Sequence, residues 1–442
     1  MPIFKRIIPF LIVVALGQNS NRIILPEADV SVADTLRLRL ADEAEFGTSF
    51  MLTTISGDSL YYQSVTIPKQ IDTLVFSDST MKPRVQEKLF QSLYLKTSQD
   101  AAEQVLSDIL RRHSFLKDSS IIAFGLTRDG RLAARLDIVP QFLNTFSGFI
   151  NTGRENGKIK VNGELTIHLE NTWGTANRIS LFWKQPNSTS RLLHFTYDEP
   201  YPVGIPIGLS FTADQEYRDE NYITTRTRTD GILQSGRGYQ IKMGFSRARM
   251  LATERGKVEG IRGMEESLLT LGFSWLKQDD RWLPRNGISL DGDIRAGKQK
   301  SSVTARTVKL DFGAMFHYPL SANIVTSSYL RYYLRETFGD KVPPSDYVYY
   351  GGSTTLRGYS DDLFKTTDLL LLSAELGYRR SHSRLYYFTD FGFNVANPDW
   401  KYGTGFGYQQ VSKSVLISIS YGIVDLRAPG EGKVHIRLEN RL

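Results

Sequence analysis

The sequence predicts an all-β transmembrane barrel of about 16 antiparallel strands with one inward-folded loop, preceded by a small α+β region. Three observations carry this. From residue 141 to the end, apolar and polar residues alternate with period two, strand after strand. The strands are long, roughly 9 to 11 residues, as a tilted membrane-crossing strand requires. Beyond the N-terminal segment there is no run of about 18 apolar residues from which a spanning helix could be made.

The alternation is clearest over Lys158–Trp173, where Ile159, Val161, Leu165, Ile167 and Leu169 alternate with lysines, glutamates and other polar residues. It recurs in Leu209/Phe211/Ala213, Met243/Phe245, Leu269/Leu271/Phe273, Val308/Leu310/Phe312 and Ile417/Ile419/Tyr421. A strand with one apolar and one charged face suits a cylinder bathed in lipid outside and polar within, because lipid satisfies no backbone edge and closure removes every edge. Trp173, Trp183, Tyr197, Trp275, Trp282, Tyr387 and Trp400 fall near strand ends, where amphipathic rings favour the membrane interface.

Composition narrows the class further. The chain has 442 residues, 41% hydrophobic and 23% charged, no cysteine and a net charge of +7. Lys and Arg are scattered through the strands, not gathered on one helix or tail, so no nucleic-acid partner is expected. His113, His168, His194, His317, His382 and His435 are dispersed, with no metal-ligand spacing. No nucleophile elbow, phosphate loop or dinucleotide fingerprint is present, so the reading is of a protein without catalytic residues, metal or cofactor. A barrel lipase with an outward Ser–His pair has no histidine on a clear lipid face to support it.

Four segments are expected. Lys5 and Arg6 precede the apolar stretch Ile7–Gly17, the order of a secretory signal peptide over residues 1–17, with cleavage near Ala15–Gly17. Residues 26–70 read as a partial or irregular segment, with a helix and then two strands around Gly57. Residues 71–140 read as strand, helix, helix, strand, strand: Ile71–Phe76, a helix over 82–95 opened by Pro83, a second helix after Ser98 with Val105, Leu106, Ile109 and Leu110 on one face, then 121–127 and 132–139 joined at Asp129-Gly130. Residues 141–442 form the barrel.

The strand–helix–helix–strand–strand order resembles a polypeptide-transport-associated (POTRA) domain. That resemblance implies a periplasmic location and binding of unfolded client chains along a sheet edge, for which Ile121, Phe124, Leu132 and Leu136 are the candidates.

In the barrel, a connection of about 30 residues between Thr337 and Thr367 is far longer than a hairpin link. It carries Leu356-Arg357-Gly358-Tyr359. On the next two strands the pleat puts Glu375 and Asp390, with Gly392, on the face opposite Leu372, Leu376, Tyr387 and Phe391, so both acids point into the lumen. An arginine on an inward loop would pair with them through its planar fork.

These motifs resemble those of the superfamily of outer-membrane assembly factors (BamA/TamA type) and two-partner-secretion transporters. Leu356–Tyr359 is similar to its (V/I/L)RG(F/Y) loop motif, Phe388-Thr389-Asp390-Phe391-Gly392 to its F-x-D-x-G strand motif, and Pro284–Gly287 to its P-x-x-G turn; Glu375 falls where the family has a lumenal acid. The resemblance covers residues 71–442. It implies a bacterial outer-membrane barrel whose loop is locked by Arg357 through Asp390 and Glu375, with Gly358, Tyr359 and Gly392 around the contact. It also implies a weak seam between the first and last strands, through which outer-membrane or secreted clients are inserted or passed, and the partners are lipid, unfolded clients and accessory periplasmic proteins. Two departures limit the transfer: the chain ends Glu439-Asn440-Arg441-Leu442 without a terminal aromatic, and one full POTRA-like unit is visible, or one and a half if residues 26–70 are a partial POTRA-like copy and not an irregular segment. A plugged passive channel or structural barrel without client handling is the alternative.

Overall fold

The computed structural model describes residues 22–26, 46–57, 59–66, 68–77, 81–112, 116, 119–139, 144–155, 158–187, 189–203, 205, 207–234, 239–280, 282–412 and 415–441. The signal segment and the helix expected after residue 33 lie outside the described residues. The chain divides into two compact units, the first mainly before Pro140 and the second mainly Pro140–Leu442.

In the first unit, β1 (Arg22–Pro26), β2 (Thr48–Ser56) and β3 (Ser59–Thr66) make an antiparallel sheet in the order β1-β3-β2. Beside it in sequence come β4 (Thr73–Phe76), α1 (Pro83–Phe90), α2 (Gln99–Arg112), β5 (Ile121–Leu126) and β6 (Leu132–Asp137). The sheet order is β4-β6-β5, with β4 parallel to β6 and β5 antiparallel to it. Parallel neighbours need a crossover, and the two helices supply it. The first helix is shorter than its sequence pattern: it passes into a 3-10 turn at Gln91–Leu93 and stops before Leu95, whose φ is +64°. Ser98 caps α2, its Oγ accepting from the Ala101 N–H at 3.2 Å. Leu106 and Ile109 are buried, as are Phe90 and Leu93.

Two of the client-binding candidates are misplaced by the sequence reading. Leu132 and Leu136 are 2% and 0% exposed because β6 is the central strand and its side chains fill the core. β5, like β4, is an edge strand of this sheet, and of the candidates it carries Ile121, 58% exposed, and Phe124, half-buried against the Phe46 ring at 5.1 Å. The connection after β5 is also wider than a two-residue hairpin. It runs over residues 127–131, with the Thr127 carbonyl accepting from the N–H of Gly130 at 2.9 Å.

The second unit is a closed barrel of sixteen strands. They are β7 (Thr145–Glu155), β8 (Lys158–Glu170), β9 (Arg178–Asn187), β10 (Ser190–Glu199), β11 (Gly208–Arg218), β12 (Tyr222–Gln234), β13 (Tyr239–Ala252), β14 (Met264–Gln278), β15 (Gly287–Lys300), β16 (Thr304–Pro319) and β17 (Ile324–Phe338). After the long loop, which holds the short strands β18 (Val348–Tyr350) and β19 (Phe364–Thr366), come β20 (Asp368–Arg379), β21 (Ser383–Asn394), β22 (Asp399–Ser412), β23 (Val415–Ile423) and β24 (Lys433–Arg441). A one-turn helix, α3 (Glu254–Val258), sits between β13 and β14.

Each strand pairs antiparallel with the next, and the pleat sorts the side chains. On β14, Glu266, Leu268 and Thr270 are buried inside, while Leu269, Leu271 and Phe273 are 72%, 46% and 43% exposed on the outer wall. The interior is not uniformly charged as the sequence pattern implied. Leu369 and Leu371 face inward too, because the loop brings Tyr350 and Leu356 for them to pack on, and so does Phe388, whose ring lies under the Arg357 guanidinium. The family-like turn before β15 is held by Asp279, whose Oδ1 accepts from the N–H groups of Arg285 at 2.9 Å and Asn286 at 3.2 Å.

Closure is uneven. β14 and β15 share fourteen paired positions, whereas β24 meets β7 at three, Glu439 with Ser147, Asn440 with Phe146 and Arg441 with Thr145. Most of both strands therefore lacks a ladder on that side. Local opening follows the number of protecting bonds, so amide hydrogens of β7 and β24 are expected to exchange faster than those of β14 and β15 in hydrogen-exchange mass spectrometry of the detergent-solubilised protein. Equal protection would contradict the short pairing.

Candidate functional site: a loop latched inside the barrel

The loop from Gly339 to Thr367 is built as an ordered hairpin. β18 and β19 pair Val348 with Thr366 and Tyr350 with Phe364. Beyond them the tip closes on itself: Gly352 and Leu356 exchange backbone bonds at 3.1 and 3.2 Å, and Thr355 Oγ1 accepts from the Gly351 N–H at 2.8 Å. Tyr350 and Leu356 are buried with Leu369 and Leu371 of β20, and the ring of Tyr359 packs edge-on against Phe364 at 5.0 Å. The fold of the tip thus carries the next residue, Arg357, to the barrel wall.

Arg357 meets that wall with nearly all its donors. Nε and Nη2 each donate to Asp390 at 2.7 Å, Nη1 donates to Glu375 at 2.9 Å, and Nη2 also reaches Ser373 Oγ at 3.1 Å. Its backbone N–H adds a bond to Asp390 Oδ2 at 3.1 Å. The guanidinium lies 3.6 Å from the centroid of the fully buried Phe388 ring, a cation–π contact. Glu375 is held in turn by Arg384 at 2.9 Å. Two arginines and two carboxylates make a neutral quartet, which is what keeps charge tolerable out of water.

The backbone fits as closely as the side chain. Gly358 has φ +99°, a conformation that disfavours any residue with a Cβ, and it lies against Gly422 and Ile423 of β23. A Cβ on Gly403 of β22 would come within 1.9 Å of the Arg357 carbonyl oxygen. Gly392 faces the same space, where a Cβ would touch Tyr350, Leu371 and Leu356 at 3.3 to 3.6 Å. All six loop-lock residues named from sequence, Arg357, Gly358, Tyr359, Glu375, Asp390 and Gly392, are therefore found around one seat. Ile121 and Phe124 belong to the first unit and take no part in it.

Sequence reasoning missed two further seats. At the start of the loop, Asp346 is 4% exposed and bonds to Lys309 Nζ at 2.6 Å and Arg226 at 3.2 Å; Lys309 also pairs with Glu266 at 2.6 Å. Burial works against the Asp346 charge, but Lys309 and Arg226 outweigh it and hold the carboxyl below the ordinary carboxylate range. Past the tip, Asp362 pairs with Lys184 at 3.1 Å and Arg218 at 3.2 Å, and Arg218 also binds Glu216 at 2.8 Å. The signal was present for Lys309: Val308 and Leu310 point outward, so the lysine between them must point in. For Asp346 and Asp362 no pleat exists to read.

The fold and site define a class, a sixteen-stranded transmembrane β-barrel with a long loop seated on its inner wall. Residues 171–427, more than half of the chain, match the Omp85 superfamily domain, and the chain belongs to that superfamily, whose setting is the bacterial outer membrane. Among solved structures it is similar to BamA from Haemophilus ducreyi lacking POTRA domains 1–3, with a TM-score of 0.57, 12% identity, and 92% of this chain and 91% of that one covered. It is also similar to CdiB from Escherichia coli, with a TM-score of 0.57, 14% identity, and 94% and 85% covered. CdiB from Acinetobacter baumannii matches with a TM-score of 0.54 at 12% identity, with 94% and 82% covered. At these identities the likeness is one of fold. No curated protein matches the sequence.

Removing one partner of a buried ion pair costs roughly 3 to 5 kcal/mol, because the other charges are stranded. Arg357→Ala is expected to unseat the loop tip while the barrel stays folded, read as new protease cleavage within residues 351–363 without loss of β-sheet circular dichroism. Gly403→Val should unseat it by collision alone, with every charge in place. A loop as resistant as the wild type in both variants would show that the contact does not hold it.

Proposed function

We propose that this protein inserts polypeptide clients into the outer membrane or passes them across it, through the seam between β7 and β24, with the loop as an internal latch. The reading rests on one observation above all: every other neighbouring pair of strands shares eight or more paired positions, and the barrel is closed by three. A backbone edge inside a membrane has to be satisfied, so a mostly unpaired edge is suited to exchange its few bonds for those of an incoming strand.

The latch has a defined part in this reading. Arg357 and Gly358 press on β20 to β23, next to one side of the seam, whereas Asp362 is tied to β9 and β11 on the other. A seated loop therefore ties the two flanks together across the lumen. The first unit would receive clients on its β5 edge, through Ile121 and Phe124, in the manner of a POTRA-like module in the periplasm. None of these steps makes or breaks a covalent bond, and we propose no enzymatic role.

The native chain contains no cysteine, so a single engineered pair is a clean test. Ser147→Cys with Glu439→Cys joins partners across the seam. Oxidised, this variant is expected to lose client assembly in proteoliposomes, and the same sample should recover on reduction. Full activity while crosslinked would eliminate the seam as the route. Steady, large conductance in planar bilayers without client handling would instead favour a passive channel.

A further inference from the structure

Every inward-facing arginine and lysine described at the three seats has a carboxylate partner. On the outer wall the pattern differs. Arg247, Arg249, Lys298, Lys300 and Arg306 are exposed there, on β13, β15 and β16, near the rim opposite the one where β7 begins and β24 ends. Register places them side by side: Arg247 is opposite Ser267, Ser267 opposite Lys298, and Lys298 opposite Arg306. One step further out, Arg249 faces Glu265 and Glu265 faces Lys300.

Only Arg249 is neutralised, by Glu265 at 3.5 Å. Arg247 lies over the Phe245 ring at 5.1 Å. Among the described residues Lys298, Lys300 and Arg306 make no ion pair, and the outward acid Glu336 of β17 stands opposite Val308, one row in from Arg306. Uncompensated like charges in adjacent strands destabilise a sheet, so such a row needs a counter-charge from outside.

Its position identifies the source of that charge. The next outward row is Phe245, Leu269, Ala296 and Val308, and the one after is Met243, Leu271, Ile294 and Leu310. Outward rows repeat every about 7 Å along a strand. The cations thus stand one row beyond the apolar band that meets acyl chains, at headgroup level. Lys298 and Arg306 are on adjacent strands roughly 5 Å apart, and Arg247 is about 10 Å from Lys298 across β14, a spacing open to more than one phosphate.

We propose that Arg247, Lys298, Lys300 and Arg306 form a binding surface for the phosphate groups of an anionic lipid headgroup in the leaflet at that rim. The surface is independent of client handling and of the latch. Each cation near an anionic surface contributes a several-fold gain in affinity, so removing four has a large readout.

The test uses the full chain in non-ionic detergent, titrated with bisphosphorylated lipid A and with the same lipid after its phosphates are removed, read by native mass spectrometry. Wild type is expected to bind the phosphorylated lipid at least about 10-fold more tightly, and R247Q/K298Q/K300Q/R306Q to lose that difference. R255Q/K257Q, altered on the exposed helix α3, should keep it, and unchanged β-sheet circular dichroism shows that each variant is folded. Equal binding by the four-fold variant, or equal binding of both lipids by wild type, overturns the proposal. Displacement of the lipid by millimolar inorganic phosphate overturns it as well, since the site would then be one for a free anion.

Discussion

A sheet that crosses a membrane must close, because neither lipid nor a neighbouring chain is at hand to satisfy its edges. The rest of this structure depends on that constraint. Sixteen strands run around the cylinder with ladders of eight to fourteen paired positions, and the deficit left by closure is concentrated between β24 and β7. Strand length, the alternating faces and the placing of the long loop can all be read as ways of bearing a ring with one thin joint.

The loop bears much of that load from inside. It contacts the wall at three separated seats, through Asp346 on β12 and β16, Arg357 on β20 and β21, and Asp362 on β9 and β11. Each seat is a cluster in which charges balance, since a lone ion in such a place would cost more than its contacts return. Apolar packing fills the ground between them, with Tyr350, Leu356, Leu369 and Leu371 gathered beside the arginine. The arginine is thus fixed by shape as well as by charge, and glycine stands at 403 and 422, where a Cβ would collide with its backbone.

Much of this was legible beforehand. A period of two fixes which face a residue occupies, so Glu375, Asp390 and Gly392 could be put in the lumen from their outward neighbours alone. The same rule applied to Lys309, yet its partners could not be named, because Glu266 and Asp346 reach it from a distant strand and from a loop. Loop conformation has no period, and Asp346 and Asp362 were silent for that reason. Leu132 and Leu136 were misjudged for a different one: sequence order places β6 last in its unit, while the helical crossover inserts it between β4 and β5, and only the sheet order separates an edge from a centre.

The balanced charge of the three seats has an electrical corollary. Each cluster pairs two basic with two acidic side chains, Lys309 and Arg226 with Glu266 and Asp346, Arg357 and Arg384 with Glu375 and Asp390, and Lys184 and Arg218 with Glu216 and Asp362. A small ion passing a seat meets a cluster with no net charge, whose Coulomb terms largely cancel at a distance. The three seats themselves therefore favour neither cations nor anions.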